Sequence, residues 1–135
     1  MTDKVILYAE DDPNDAIIFQ MAFRRATLPQ SLYVVDDGQD AIGWLSGKGK
    51  YDNRTKFPLP DVLMLDLKMP RKSGFDVLEW VRGKQQFELL QIIILSSSDE
   101  AADVKKAYKL GATTYFVKSA SCSEVIQFLR MSSLG

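Results

Sequence analysis

The sequence predicts an α/β domain built on a parallel sheet of five strands, and three observations carry that expectation. Short apolar runs recur near residues 4–9, 31–36, 61–65, 91–95 and 113–117. Most of them lack polar alternation, which is the pattern of strands buried on both faces and therefore of parallel sheets. Stretches with helical spacing fill most of the intervals, and alternating strand and helix of this length give right-handed crossovers with helices on both faces.

Each element has a local reason. The run VILYA at 5–9 stops at Glu10, Asp11 and Asp12. Pro13 suits the first turn of a helix and Asp12 its N-cap, so the first helix starts at Pro13 and runs to about Ala26, before Leu28 and Pro29. After the second strand, a helix over about 38–46 stops at Ser46, Gly47, Lys48 and Gly49. The segment 47–60 is the exception to the tight layout, being polar, holding two Gly and two Pro, and exceeding the few residues usual for such a connection. The third strand ends at Asp66, and a third helix begins near Gly74 with Phe75, Val77, Leu78 and Val81. The fourth strand runs into Ser96 and Ser97. Its helix is expected to open within 96–99 and to end at Gly111, a residue suited to a helix C-terminus. The fifth strand ends at Lys118, and Ser121 with Glu124 forms the capping-box pattern of a fifth helix that packs Val125, Ile126, Phe128 and Leu129.

Composition bounds the function. The 135 residues, 46% of them hydrophobic, make a single domain over 1–135. The formal net charge of −1 gives no support to nucleic-acid or anionic-membrane binding. No apolar stretch approaches the ~20 residues that span a bilayer. Asp3 and Glu10 leave no room for a signal-peptide apolar region. Cys122 stands alone, so no internal disulfide forms and a cytoplasmic protein is expected. The chain has no histidine, which removes the commonest general base.

The flavodoxin-like strand order 2-1-3-4-5 places strands 1 and 3 side by side at the switch point, where ligands bind beyond the carboxyl ends of the strands. The expected fold is thus a (βα)5 doubly wound sheet with Glu10, Asp11, Asp66, Ser96 and Lys118 on one edge. Three clustered carboxylates repel one another unless a cation joins them, and oxygen-only donors suit Mg²⁺. A carboxylate also serves as a nucleophile in phosphoryl transfer, giving an acyl phosphate. Positioned cations and donors then do most of the work, since charge spreads over the equatorial oxygens of the transferring group. Lys118 supplies an ammonium and Ser96 a hydroxyl. Singly, each residue has a plainer reading: Asp12 is a helix cap, Ser96 a turn serine, and Lys118 a solvated surface lysine. Their joint occurrence at four strand ends points to phosphoryl chemistry.

On these residues the chain resembles the receiver domains of response regulators over residues 4–132. The resemblance implies that Asp66 is the phosphoacceptor, that Glu10 and Asp11 are the paired acids, and that the Lys68 backbone carbonyl completes the Mg²⁺ site. It further implies Ser96 as the switch hydroxyl, Tyr115 as the switch aromatic and Lys118 as the active-site lysine. The long 47–60 segment and the Lys118-Ser119 pair resemble single-domain regulators that partner phytochrome-type and related hybrid sensor kinases. Lys118-Ser119 departs from the family's commoner Lys-Pro, whose peptide is cis.

The implied function is a phosphoacceptor switch that takes its phosphoryl group from a sensor histidine kinase or phosphotransfer domain and signals by protein contact. It catalyses only its own phosphorylation and dephosphorylation, and no output domain is expected after the fifth helix. The apolar residues of 17–23 suit a docking patch for the kinase's helical bundle, and a homodimer through the fourth or fifth helix is compatible with the pattern. A haloacid-dehalogenase-like Mg²⁺ phosphatase is the enzymatic alternative, but it wants an Asp at position 68, where this chain has Lys. A flavodoxin-like carrier would set a phosphate after strand 1, where three acids would repel it.

Overall fold

Five strands and five α-helices alternate in the computed structural model, which describes residues 4–118 and 122–132. They are β1 (Val5–Ala9), α1 (Pro13–Ala26), β2 (Ser31–Val35), α2 (Gly38–Ser46), β3 (Val62–Leu65), α3 (Gly74–Arg82), β4 (Gln91–Ser96), α4 (Ala101–Lys109), β5 (Thr114–Val117) and α5 (Cys122–Ser132). The sheet order is β2-β1-β3-β4-β5, and every pairing is parallel. The parallel alternation is what the apolar runs predict, and the order is that of the flavodoxin-like fold expected for it. Ser121 and the Lys118-Ser119 peptide lie outside the described residues.

The lack of alternation in the central strands has a direct cause. Successive side chains point to opposite faces, and here both faces are covered. Leu7, Leu63, Leu65, Ile92 and Ile94 enter one core with α2, α3 and Ala107 of α4. Ile6, Tyr8, Val62, Met64, Ile93 and Leu95 enter a second core with Phe19 of α1 and Val125, Ile126 and Leu129 of α5. The edge strand β2 is less buried, with Ser31 exposed.

Helix ends follow their local chemistry. Asp12 caps α1 by accepting from the Asn14 N–H at 2.9 Å, and Pro13 holds the first turn. Ser73 and Asp76 form a reciprocal capping box on α3. The fourth helix corrects the sequence-based expectation. It begins at Ala101 instead of opening within 96–99, because Ser96 still belongs to the sheet, paired with Val117. The next turn is held by Ser98, whose hydroxyl donates to Asp103 at 2.6 Å and accepts from the Glu100 N–H at 3.3 Å.

The 47–60 segment folds back on α2. Arg54 donates to the carbonyls of Trp44 at 2.6 Å and Leu45 at 2.9 Å, taking up acceptors that the end of α2 leaves open. Trp44, Tyr51 and Phe57 stack into an aromatic cluster with centroids 5.0–5.6 Å apart. Its polar composition reads as a loop, while two of its rings, Tyr51 and Phe57, join the α2–α3 core beside Trp44.

Candidate functional site

The parallel ladder continues one residue past several strands, and that extension builds the site. The Glu10 N–H donates to the Val35 carbonyl at 3.0 Å, Asp66 N–H to Ala9 at 3.2 Å, and Lys118 N–H to Ser96 at 2.7 Å. The residues that end the apolar runs are therefore set along one edge by backbone hydrogen bonds. Gly74 closes the loop after β3: a Cβ there would meet the Asp66 carbonyl oxygen at 2.2 Å. Only glycine allows α3 to start so near the Asp66 backbone.

Glu10 and Asp66 are buried, at 2% and 6% exposure, while Asp11 is exposed. One ligand oxygen from each lies within 4.8 Å of the others. The Lys118 ammonium stands among them, 2.5 Å from Glu10 Oε1 and 3.1 Å from Asp66 Oδ2. Asp15 on the first turn of α1 adds a further carboxylate, accepting from Lys118 Nζ at 2.8 Å. Four carboxylates thus crowd this edge, and three of them, Glu10, Asp15 and Asp66, share one ammonium. The excess negative charge and the all-oxygen donor set fit a divalent cation. Glu10 is further tied by the Tyr8 hydroxyl, which donates at 2.9 Å, and by the Asp12 N–H at 3.1 Å.

The electrostatics match this crowding. Burial pushes the Glu10 carboxyl up and the Asp66 charge adds to it, against the opposing hydrogen bond from Lys118. Partial loss of solvent raises the Asp11 carboxyl although the residue is exposed, with a contribution from Glu10. Burial lowers the Lys118 ammonium, but hydrogen bonds to Asp15 and Glu10 and the charge of Asp66 more than reverse that and hold it well above its ordinary range. Burial also drives the Tyr8 hydroxyl far up, so it remains a donor to Glu10.

Ser96 lies at the end of β4, 1% exposed, where its Oγ accepts from the Ser98 N–H at 3.2 Å. The Tyr115 hydroxyl donates to the Ser98 carbonyl at 2.8 Å. Ser98 thus bridges the two residues that the resemblance pairs as hydroxyl and aromatic. Lys68 is exposed two residues beyond Asp66.

Sequence reasoning missed Asp15, Tyr8 and Ser98. Asp15 reads as an ordinary first-turn acid complementing the helix dipole, and nothing local ties it to Lys118. Tyr8 did carry a signal. A fully buried strand tyrosine needs a partner for its hydroxyl, and Glu10, two residues on, shares its side of the sheet.

The family model described as the response regulator receiver domain matches residues 6–130. The chain belongs to that family, the phosphoacceptor switches of two-component signalling. It is 28% identical over 127 residues to the response regulator Rcp1 of Synechocystis sp., covering 94% of this chain and 84% of that protein. The Mn²⁺-bound structure of Rcp1 superposes with a TM-score of 0.82, covering 95% of this chain and 90% of that one. The phosphorylated cyanobacterial phytochrome response regulator RcpA is 30% identical with a TM-score of 0.82, covering 96% of this chain and 91% of that chain. The bacteriophytochrome response regulator RtBRR is 34% identical with a TM-score of 0.83, covering 98% and 78% respectively. Among the described residues no helix is long and apolar enough to cross a membrane.

Proposed function

We propose that Asp66 is the phosphoryl acceptor of this receiver domain and that a phosphohistidine on a sensor kinase or phosphotransfer domain is the donor. The observation that carries this is the position of Asp66: it is buried at the switch-point edge, 3.1 Å from the Lys118 ammonium and clustered with Glu10 and Asp11. An Asp66 carboxylate oxygen attacks phosphorus, an O–P bond forms, the P–N bond breaks, and the electron pair returns to the donor imidazole. Asp11, Asp66 and the Lys68 carbonyl would hold Mg²⁺, with Glu10 acting partly through water. Bound there, the ion would supply charge neutralisation for the transferring group. Lys118 pairs with a phosphoryl oxygen, and the Ser96 hydroxyl donates to another. That turn releases the Ser98 N–H from Ser96 and frees the Tyr115 contact on the other side of Ser98, shifting the α4–β5–α5 face between two populations.

The relatives' names support a phytochrome-type kinase as the partner. Ile17, Ile18 and Met21 project from α1 at 52%, 57% and 47% exposure and suit docking on the kinase's helical bundle. The protein works in the cytoplasm, as a switch whose chemistry is confined to its own phosphorylation and dephosphorylation. The phosphatase alternative has no support, since an exposed lysine stands where its general acid is needed.

The test is phosphorylation by the cognate kinase and labelled ATP, followed by intact-mass measurement. Wild type should gain one phosphoryl group and Asp66→Asn none. Equal labelling of the variant would overturn the assignment.

A further inference from the structure

The loop between β3 and α3 carries Lys68 and is held at two places. Its base is closed by the Gly74 N–H donating to the Leu67 carbonyl at 2.9 Å, with Leu67 buried in the α2–α3 core. Its far end rests on the start of α2. Arg71 and Asp37, 34 residues apart, form an ion pair through Nη2 and Oδ2. Next to it, a Cβ on Gly38 would meet the Lys72 carbonyl oxygen at 2.1 Å. Arg71 also adopts a left-handed backbone, φ 65°, which a non-glycine residue keeps only when its surroundings require it.

Asp37 is a poor candidate for an incidental surface partner. It is 1% exposed, and its Oδ1 already accepts from the Asp40 N–H at 2.8 Å to cap α2. A buried carboxylate needs a partner for its remaining oxygen, and Arg71 supplies it. Burial alone would raise the Asp37 carboxyl, but the Asp40 N–H and the Arg71 guanidinium outweigh it and hold the group below its ordinary value. The carboxylate is thus charged and fixed by α2, whereas the Arg71 side chain is 60% exposed and reaches inward to it.

We propose that Arg71 is a positioning residue: its ion pair with Asp37 latches the far end of the 66–74 loop to α2, and so places the Lys68 carbonyl for the divalent cation. Lys68 lies between the two fixed points, and its exposed side chain gives the loop no anchor of its own at that position. The proposal rests on the metal site proposed above and extends it to two residues outside that site.

The experiment compares wild type, Arg71→Met and Arg71→Lys by calorimetric titration with Mg²⁺ alone, alongside thermal melting in EDTA. Arg71→Met removes the charge while keeping a long side chain. The existing contact is a single Nη2–Oδ2 pairing, which a lysine ammonium can replace. Arg71→Met should bind Mg²⁺ about ten-fold more weakly, the lower end of the loss seen when a residue supporting a metal ligand is removed. Arg71→Lys should recover most of that loss and melt close to wild type without metal, whereas Arg71→Met, which leaves the buried Asp37 oxygen unpaired, should melt lower yet still be folded at the titration temperature. Wild-type affinity in Arg71→Met, or weakened binding that Arg71→Lys does not restore, would overturn the latch. Failure of wild type itself to bind Mg²⁺ would instead overturn the metal site, and the latch with it.

Discussion

Asp15 Oδ2 accepts a hydrogen bond from Lys118 Nζ at 2.8 Å, a shorter contact than the 3.1 Å between the same ammonium and Asp66 Oδ2. A lysine ammonium has three donors, and here it hydrogen-bonds to Asp15 and Asp66 and pairs with Glu10. A phosphoryl group arriving on Asp66 must therefore compete for Lys118. Asp15 is the most exposed of the three and the easiest to give up. Asp15→Asn keeps an acceptor but removes its charge, so phosphorylation by acetyl phosphate should quicken. A solvent-screened pair of this kind is worth at most about 1 kcal/mol, so the gain is at most about five-fold. A slower variant would refute the competition.

Removing the ammonium should expose the repulsion it hides. Lys118→Met leaves Glu10 and Asp66 buried without their cation, which destabilises the metal-free fold by up to about 3 kcal/mol. Because Mg²⁺ replaces the missing charge, it should raise the melting temperature of the variant more than that of wild type. Equal increments in the two proteins would argue against a shared electrostatic role.

Acidity should act on the site with a definite sign. The Glu10 carboxyl is raised by burial and the exposed Asp11 carboxyl by partial desolvation, with added repulsion from Asp66 and Glu10 respectively. Their folded values lie above the unfolded ones, so their contribution to stability is complete below the unfolded carboxylate range, about pH 4. It is lost as pH rises through the raised folded values. At the proposed site Mg²⁺ would bind the deprotonated carboxylates, so its affinity should climb through the same interval with release of protons. Titrations in buffers of different ionisation enthalpy measure that release, and a pH-independent affinity would rule it out.

Ile18 is 57% exposed, and its neighbours Ile17 and Met21 share that exposure while Phe19 turns into the core. Ile18→Glu should leave the fold intact and slow phosphotransfer from the kinase by about ten-fold or more, as loss of a central docking contact does. Phosphorylation by acetyl phosphate should be unchanged. Transfer from the kinase at the normal rate would dismiss the docking surface.

The Lys68 side chain stands free of the crowded edge and within the loop that flanks Asp66. Its ammonium can lean toward a dianionic phosphoryl oxygen and hinder an in-line water. Lys68→Asn should then shorten the phosphoryl lifetime at fixed Mg²⁺, read as the decay of labelled protein. An equal or longer lifetime would show that the side chain has no shielding role.

Much of the molecule is legible in its sequence. Strand positions followed from runs such as 62–65 and 92–95, because burial on both faces leaves no polar alternation to blur them. The Asp12 cap and Pro13 start of α1 were equally local. The start of α4 was not. Ser96 through Asp99 looks like a helix entrance, yet pairing of Ser96 with Val117 keeps it in the sheet, and that competition is invisible without β5 in place.

What the sequence determined by itself is therefore the five-strand alternation and the meeting of Glu10, Asp11, Asp66, Ser96 and Lys118 on one edge. Both follow from periodicity and from where apolar runs stop, and these survive translation into a parallel sheet. Tertiary structure alone decided which side chains complete that edge. Lys118 finds Asp15 across 103 residues of chain, and Arg71 finds Asp37 across 34. Such pairings depend on how α1 and α2 are docked on the two faces of the sheet. That docking is set by the combined packing of two cores, a property of the whole chain that no local pattern encodes.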